Sequence, residues 1–296
     1  MRLLLIGGTG QVGGEIRIAA ESASIECISP SSSELDITNK DNINKVFVEN
    51  SRFDFVINAS AYTAVDKAED DPVLAFSVNR DGPHYVAEAC AEHHVPLLHI
   101  STDYVFDGNA SLPYTEDMAV HPLGIYGESK LEGEQAIREC LTEHIILRTA
   151  WVYGAQGNNF VKTMLRLGGN HQQLKVVSDQ IGCPTSAVDI AKTIIWVIRQ
   201  MIDKPNTRWG TYHYCSADHT NWADFAMNIF SNANKIDPNY PSVQVLPIST
   251  SEYPTRAVRP DYSVLDCSKI ERAFSIQLPC WEMSLQRDIA NILKNI

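Results

Sequence analysis

The chain has 296 residues, 44% hydrophobic and 20% charged, with a formal net charge of −12. That size allows one large domain or two moderate ones around a sizeable core. The acidic balance argues against non-specific binding to nucleic acid or to an anionic membrane.

The Met1–Ile6 stretch is too short for a signal peptide, and no apolar run approaches membrane-spanning length. Leu3-Leu4-Leu5-Ile6 reads as a buried strand, closed by Gly7-Gly8-Thr9-Gly10-Gln11-Val12-Gly13-Gly14 and followed by a helix to about Ser22. A short strand over 25–29 comes next, then a polar loop, Leu35-Asp36-Ile37-Thr38 and a helix over about 39–49. Residues 53–59 form a third strand. Asp71 and Pro72 have the character of an N-cap and first helical position for a long helix ending near His94, interrupted at Gly82-Pro83. Strands at 96–102 and 144–149 follow. Short apolar strands alternating with longer helices predict an α/β fold, a doubly wound parallel sheet covered on both faces. After Trp151 the pattern loosens: strands are expected over 174–178, 212–215 and 243–246, helices over about 189–201 and 222–232, and loop over 233–262. The expected division is a dinucleotide-binding part over 1–150 plus about 186–215. A smaller, partly interleaved α/β substrate-binding part takes about 151–185 and 216–296. Seven scattered cysteines, odd in number and without metal-ligand spacing, fit reduced thiols that serve as small core hydrophobes in a cytoplasmic protein.

Three stretches carry chemistry. The Gly7, Gly10 and Gly13 spacing, placed between a strand and a helix, permits a tight turn, close approach of a pyrophosphate and helix–strand packing. With Gln11 and Val12 it forms the expected cofactor loop. The second strand ends in Ser29-Pro30-Ser31, with neither acid nor arginine, so the choice between NADH and NADPH stays open. Asp36 and Ile37 are placed either to flank an adenine or as a helix-entry loop. Ala59, Ser60, Ala61 and Tyr62 end the third strand at the carboxyl edge of the sheet, where small residues let the backbone approach a cofactor. Asp66 and Glu69 after them read as solvated loop or helix cap. Finally, Tyr126 and Lys130 stand one helical turn apart, downstream of Thr102 at a strand end. With eleven tyrosines in the chain, about 0.7 such Tyr–Lys pairs arise by chance, so position rather than spacing makes this one informative. An ammonium beside a phenol favours phenolate and lowers its pKa, which suits Tyr126 to protonate a carbonyl oxygen that receives hydride.

These motifs resemble those of the extended short-chain dehydrogenase/reductases. The resemblance is carried by residues 7–13, 58–66, 101–108, 126–134, 147–154, 179–185 and 259–265 and spans nearly the whole chain. It implies a Rossmann-type fold, NADPH or NADH as cofactor, and reduction of the 4-keto group of a dTDP-sugar substrate in dTDP-rhamnose biosynthesis. Thr102, Tyr126 and Lys130 would be catalytic, and Lys130 would also hold the nicotinamide ribose. Thr102, Asp103, Tyr104, Trp151 and Arg259 would meet the substrate. Trp151 is otherwise an interface aromatic, and Arg259, preferred to Arg256 for the diphosphate, is otherwise a surface ion pair. Related dehydratases carry an Asp-Glu pair after the threonine, whereas Asp103 here is followed by Tyr104, so reduction is favoured over elimination. No metal is expected: some members hold magnesium at a dimer interface through glutamates, and Glu15 alone has a match, with none near Asp189 or the C-terminus. The alternatives are a non-catalytic NADP-binding subunit like the regulatory subunit of methionine adenosyltransferase, and a reductase or epimerase of another nucleotide sugar. Whether the chain forms a homodimer is not readable from sequence.

Overall fold

A computed structural model describes residues 1–50, 52–203 and 208–296. The first half alternates strands and helices: β1 (Arg2–Ile6), α1 (Gln11–Ser22), β2 (Glu26–Ile28), α2 (Lys40–Glu49), β3 (Phe55–Asn58), α3 (Val65–Ala68), α4 (Pro72–Phe76), α5 (Gly82–Glu92), β4 (Leu97–Thr102), α6 (Ile125–Cys140) and β5 (His144–Thr149). The second half adds β6 (Val152–Tyr153), α7 (Phe160–Gly168), β7 (Gln173–Val177), β8 (Ile181–Gly182), β9 (Thr185–Ser186), α8 (Ala187–Asp203), β10 (Gly210–His213), β11 (Thr220–Asn221), α9 (Trp222–Ile236), β12 (Gln244–Ile248), α10 (Ser268–Phe274) and α11 (Trp281–Leu293).

Among the described residues, six parallel strands form the main sheet in the order β10-β5-β4-β3-β1-β2. Successive strand residues point to opposite faces, and each face has its own core. Leu3, Leu5, Phe55, Ile57 and Leu98 pack with Ile16 of α1 and Ile190 and Ile194 of α8. Leu4, Ile6, Val56, Leu97 and Ile146 pack with Ile43, Phe47, Val86 and Ile137 of α2, α5 and α6. The near-continuous apolar runs of the sequence follow from this double coverage. A third core, with Tyr153, Val161, Leu165, Phe225, Ile229, Trp281 and Leu285, joins α7, α9 and α11 away from the sheet.

Two expectations change. The interruption at Gly82-Pro83 is a π-helical turn over Ser77–Asp81, set between α4 and α5. Pro83 has no N–H to give to the carbonyl one turn back, at Asn79. Gly133 of α6 packs against that carbonyl, where a Cβ would lie 2.0 Å from the oxygen. In the segment 233–262, otherwise expected to be loop, α9 continues to Ile236, while the strand expected over 243–246 is β12, which pairs in parallel with β7. Helices α7, α10 and α11 were not expected; their apolar positions find partners only in tertiary packing.

Candidate active site

Strand order reverses between β1 and β3, and the loops leaving their carboxyl ends flank the crevice where open parallel sheets bind ligands. Gly7 has φ +83°, and a Cβ there would lie 2.6 Å from the Ser60 nitrogen; one on Gly13 would lie 2.1 Å from the Gly7 oxygen. Without side chains, the loop seats directly on both strand ends. Helix α1 begins without a side-chain cap or an acid in its first turn, so its first N–H groups remain open to an anion. This cradle fits a dinucleotide pyrophosphate. Val12 packs against the first core. The Gln11 side chain is engaged within the protein: its nitrogen donates to the Val152 carbonyl at 3.0 Å, and Asn159 donates to its oxygen at 2.6 Å. Asp36 accepts from the N–H and hydroxyl of Thr38, while Ile37 is buried in the second core.

Ala59, Ser60, Ala61 and Tyr62 are all partly exposed at the end of β3. The Asn58 carboxamide oxygen accepts from both the backbone and the hydroxyl of Ser60. Asn79, in the π-helical turn, accepts from the Tyr62 nitrogen at 2.8 Å and donates to the Tyr62 carbonyl and to Ser129 on α6. One buried carboxamide thus ties the β3 loop to the helix that bears Tyr126. Glu69 is a cap: its carboxylate accepts the Ile125 N–H at the start of α6, 2.9 Å away.

On α6, Tyr126, Lys130, Glu134 and Arg138 recur every fourth residue and form one stripe. The stripe meets β4 rung by rung. Thr102 accepts from the Tyr104 nitrogen, donates to the Asp103 carboxylate and lies beside the Tyr126 hydroxyl. Lys130 is buried, donates to the Ile100 carbonyl at 2.7 Å and sits 3.0 Å from the Nε2 atom of His99. Glu134, also buried, accepts from Ser101, from Arg138 and twice from Arg148. Burial alone would raise the Glu134 pKa, but Arg148, Arg138 and Ser101 together outweigh it and the net shift is downward. This one carboxylate joins the three motifs at 101–108, 126–134 and 147–154. Its four-residue spacing from Lys130 was a legible signal that the sequence reading passed over.

The electrostatics differ from expectation. Burial pushes the Tyr126 pKa up to about 12, and the nearby Thr102 offsets only part of this. The Lys130 ammonium is engaged by His99 and the Ile100 carbonyl of β4 rather than by the phenol. Burial also brings Lys130 down to about 8 and raises Asp103 to about 6, against opposing hydroxyls of Ser263 and Thr102. Tyr126 is therefore a protonated phenol at neutral pH, poised to give a proton.

Beside this edge lies a cavity of about 560 Å³ whose wall includes Thr63, Tyr104, Phe160, Gln180, Trp222 and Arg259. Tyr104 meets the Tyr126 ring edge-on at 5.5 Å. Arg259 pairs with Asp66 at 2.7 Å, and Arg256 pairs with Asp70. Trp151 lies one layer behind the wall, stacked on Trp222 at 3.4 Å between ring centres, with φ +44°. Gly182 makes room for that indole, since a Cβ there would come within 2.4 Å of it. Trp222 and Phe160 were missed as wall residues. Gln180, inside the 179–185 motif, receives the Trp222 N–H and was the available signal. On the opposite flank, Arg287 bonds both Asp189 and Asp288 near Glu15, whose pKa burial raises.

Known proteins resemble this chain in sequence and fold. A dTDP-4-dehydrorhamnose reductase of Aggregatibacter actinomycetemcomitans is 44% identical over 288 residues, 96% of this chain and 97% of the relative. The crystal structure of a dTDP-4-dehydrorhamnose reductase from Clostridium acetobutylicum superimposes with a TM-score of 0.91 at 40% identity, covering 99% of this chain and 100% of that one. The dTDP-4-dehydrorhamnose reductase of Bacillus anthracis, solved in complex with NADP, gives 0.90 at 37% identity, with 98% of each chain covered. The family model described as RmlD substrate binding domain matches residues 1–294, and this chain belongs to that family.

Proposed function

We propose that this chain catalyses the NADPH- or NADH-dependent reduction of the 4-keto group of dTDP-4-dehydro-L-rhamnose to dTDP-L-rhamnose, a step of dTDP-rhamnose biosynthesis. The observation that carries the reading is the meeting of Thr102 with a protonated Tyr126 at the β4–α6 edge, beside the cavity walled by Tyr104 and Arg259. The nicotinamide, when bound, supplies hydride. Tyr126 gives its proton to the carbonyl oxygen, and Thr102 hydrogen-bonds that same oxygen. Lys130 holds the nicotinamide ribose with its ammonium. Arg259 leaves or shares Asp66 to meet the diphosphate, a geometry to which a guanidinium is suited. Asp103, Tyr104 and Trp151 complete the sugar side. Tyr104 stands where elimination would need a second carboxylate, which favours reduction over dehydration.

In this reading, residues 1–150 with about 186–215 serve the cofactor, and about 151–185 with 216–296 serve the sugar nucleotide. Ser51 and residues 204–207 within those spans lie outside the described residues. The third core, separate from the sheet, supports the division. The enzyme is read as cytoplasmic; among the described residues no helix is long and apolar enough to cross a membrane. A homodimer is the assembly to test, by light scattering.

The deciding assay follows cofactor absorbance with a panel of 4-keto nucleotide sugars. Oxidation with dTDP-4-dehydrorhamnose and not with the others is the expected result. Cofactor binding without oxidation by any sugar would replace the enzyme with a non-catalytic binding subunit.

A further inference from the structure

Beyond the glycine loop, a dinucleotide-binding sheet distinguishes its cofactors at the end of β2. An acid there accepts from the adenosine 2′-hydroxyl, whereas a nearby arginine accommodates a 2′-phosphate. Here β2 ends at Ile28 and runs into Ser29-Pro30-Ser31, without an acid. The fold brings a cation to this place from another element. Arg17 of α1 lays its side chain along the glycine loop. Measured from the position a Cβ would take on Gly8, Arg17 Cδ is 3.2 Å away and Ser29 Oγ 1.9 Å away. A single side-chain-free residue of the loop is therefore flanked by a guanidinium arm and a hydroxyl. The Arg17 charge also acts on the Cys27 thiol in β2, opposing the burial that raises it.

Arg17 is exposed, and among the described residues no hydrogen bond or ion pair engages its guanidinium. Arg148, Arg259 and Arg287, by contrast, are each held by a carboxylate. The acid of the adjoining loop, Glu34, is turned to Ser31, from which it accepts both the N–H and the hydroxyl at 2.8 Å. Ser31 is thereby occupied, which leaves Ser29 as the free hydroxyl next to Arg17.

We infer that Arg17 and Ser29 form the subsite for the adenosine 2′-phosphate and make this chain prefer NADPH to NADH. The inference rests on the cofactor reading above. A guanidinium meets a phosphate with two parallel charge-assisted hydrogen bonds, and the serine adds a neutral donor. NADH offers a 2′-hydroxyl there and finds no carboxylate to receive it.

The test titrates NADPH and NADH by fluorescence, without sugar, on the wild-type protein and on Arg17→Ala, Arg17→Lys and Ser29→Asp. Wild type is expected to bind NADPH about tenfold or more tightly than NADH, the scale of a charged hydrogen-bonded contact. It should also bind 2′,5′-ADP more tightly than 5′-AMP, with the preference shrinking as salt is raised. Arg17→Ala should lose most of the difference through weaker NADPH binding, with NADH within about twofold of wild type, because only the 2′-phosphate contact is removed. Arg17→Lys should keep part of the preference, and Ser29→Asp should reverse it. Equal affinity for both cofactors in wild type overturns the assignment, as does an Arg17→Ala variant that weakens both equally while melting at the wild-type temperature. Failure of wild type to bind either nucleotide would instead overturn the cofactor reading, and this inference with it.

Discussion

The β4–α6 edge and the cavity beside it face the same space, yet they are assembled over very different distances in the chain. Lys130 and Ile100 are 30 positions apart, and Ser101 and Glu134 are 33 apart. Across the cavity, Arg259 and Asp66 are separated by 193 positions, and Gln180 and Thr250 by 70. The edge is one strand set against one helix, and its rungs follow from the pleat of β4 and the turn of α6. The wall exists only once the third core has closed. The edge and the wall therefore have different folding requirements, so mutations in the two should separate stability, turnover and affinity.

Removing the buried cation behind the edge should have the largest effect. Arg148→Met leaves the Glu134 carboxylate buried without its bidentate partner, and the expected loss is about 3–5 kcal/mol of stability, read by urea unfolding. A loss below about 1 kcal/mol would mean that this pair does not hold the edge. Tyr126→Phe keeps the ring and removes the proton. Turnover should fall by about 10²-fold or more while cofactor affinity holds, and near-normal turnover would remove Tyr126 from the role assigned to it.

Arg259→Ala tests the other region. KM should rise by about tenfold with kcat changed far less, the pattern of lost uniform binding. A fall in kcat at constant KM would place Arg259 with the edge rather than the wall. The smallest effect is a pH dependence. Lys130 lies near 8, below the usual lysine range because of its burial. Its ammonium is therefore full well below that pH and is lost as pH rises through it. Turnover that needs this cation should drop about twofold between pH 7 and 8, and the decline should vanish from the residual activity of Lys130→Arg. A wild-type profile flat through pH 9 would contradict this.

The glycine loop, the parallel β–α units and the Tyr126-to-Lys130 spacing were legible because each depends on residues within a few turns of one another. Gly7 and Gly13 announce themselves by position after an apolar strand, and Tyr126 and Lys130 by helical period. The pocket was not legible in the same way. Trp151 carries a recognisable motif, but only packing shows that it stands behind Trp222. Asp66 reads as a loop acid until Arg259 arrives beside it, and Glu69 as another until its carboxylate reaches the start of α6.

By itself, the sequence determined the alternation of strands and helices through β5, the glycine loop between β1 and α1, and the one-turn spacing of Tyr126 and Lys130, since these follow from local periodicity. Tertiary structure decided the protonation of those residues and the charges near them. It turned Lys130 toward Ile100 and away from the Tyr126 phenol, and it raised rather than lowered the tyrosine. It also set Arg17 beside Ser29, where the segment leaving β2 has no charge. Proton affinity and ion pairing depend on burial and on the nearest counter-charge, and both are set by neighbours that only the folded chain brings together.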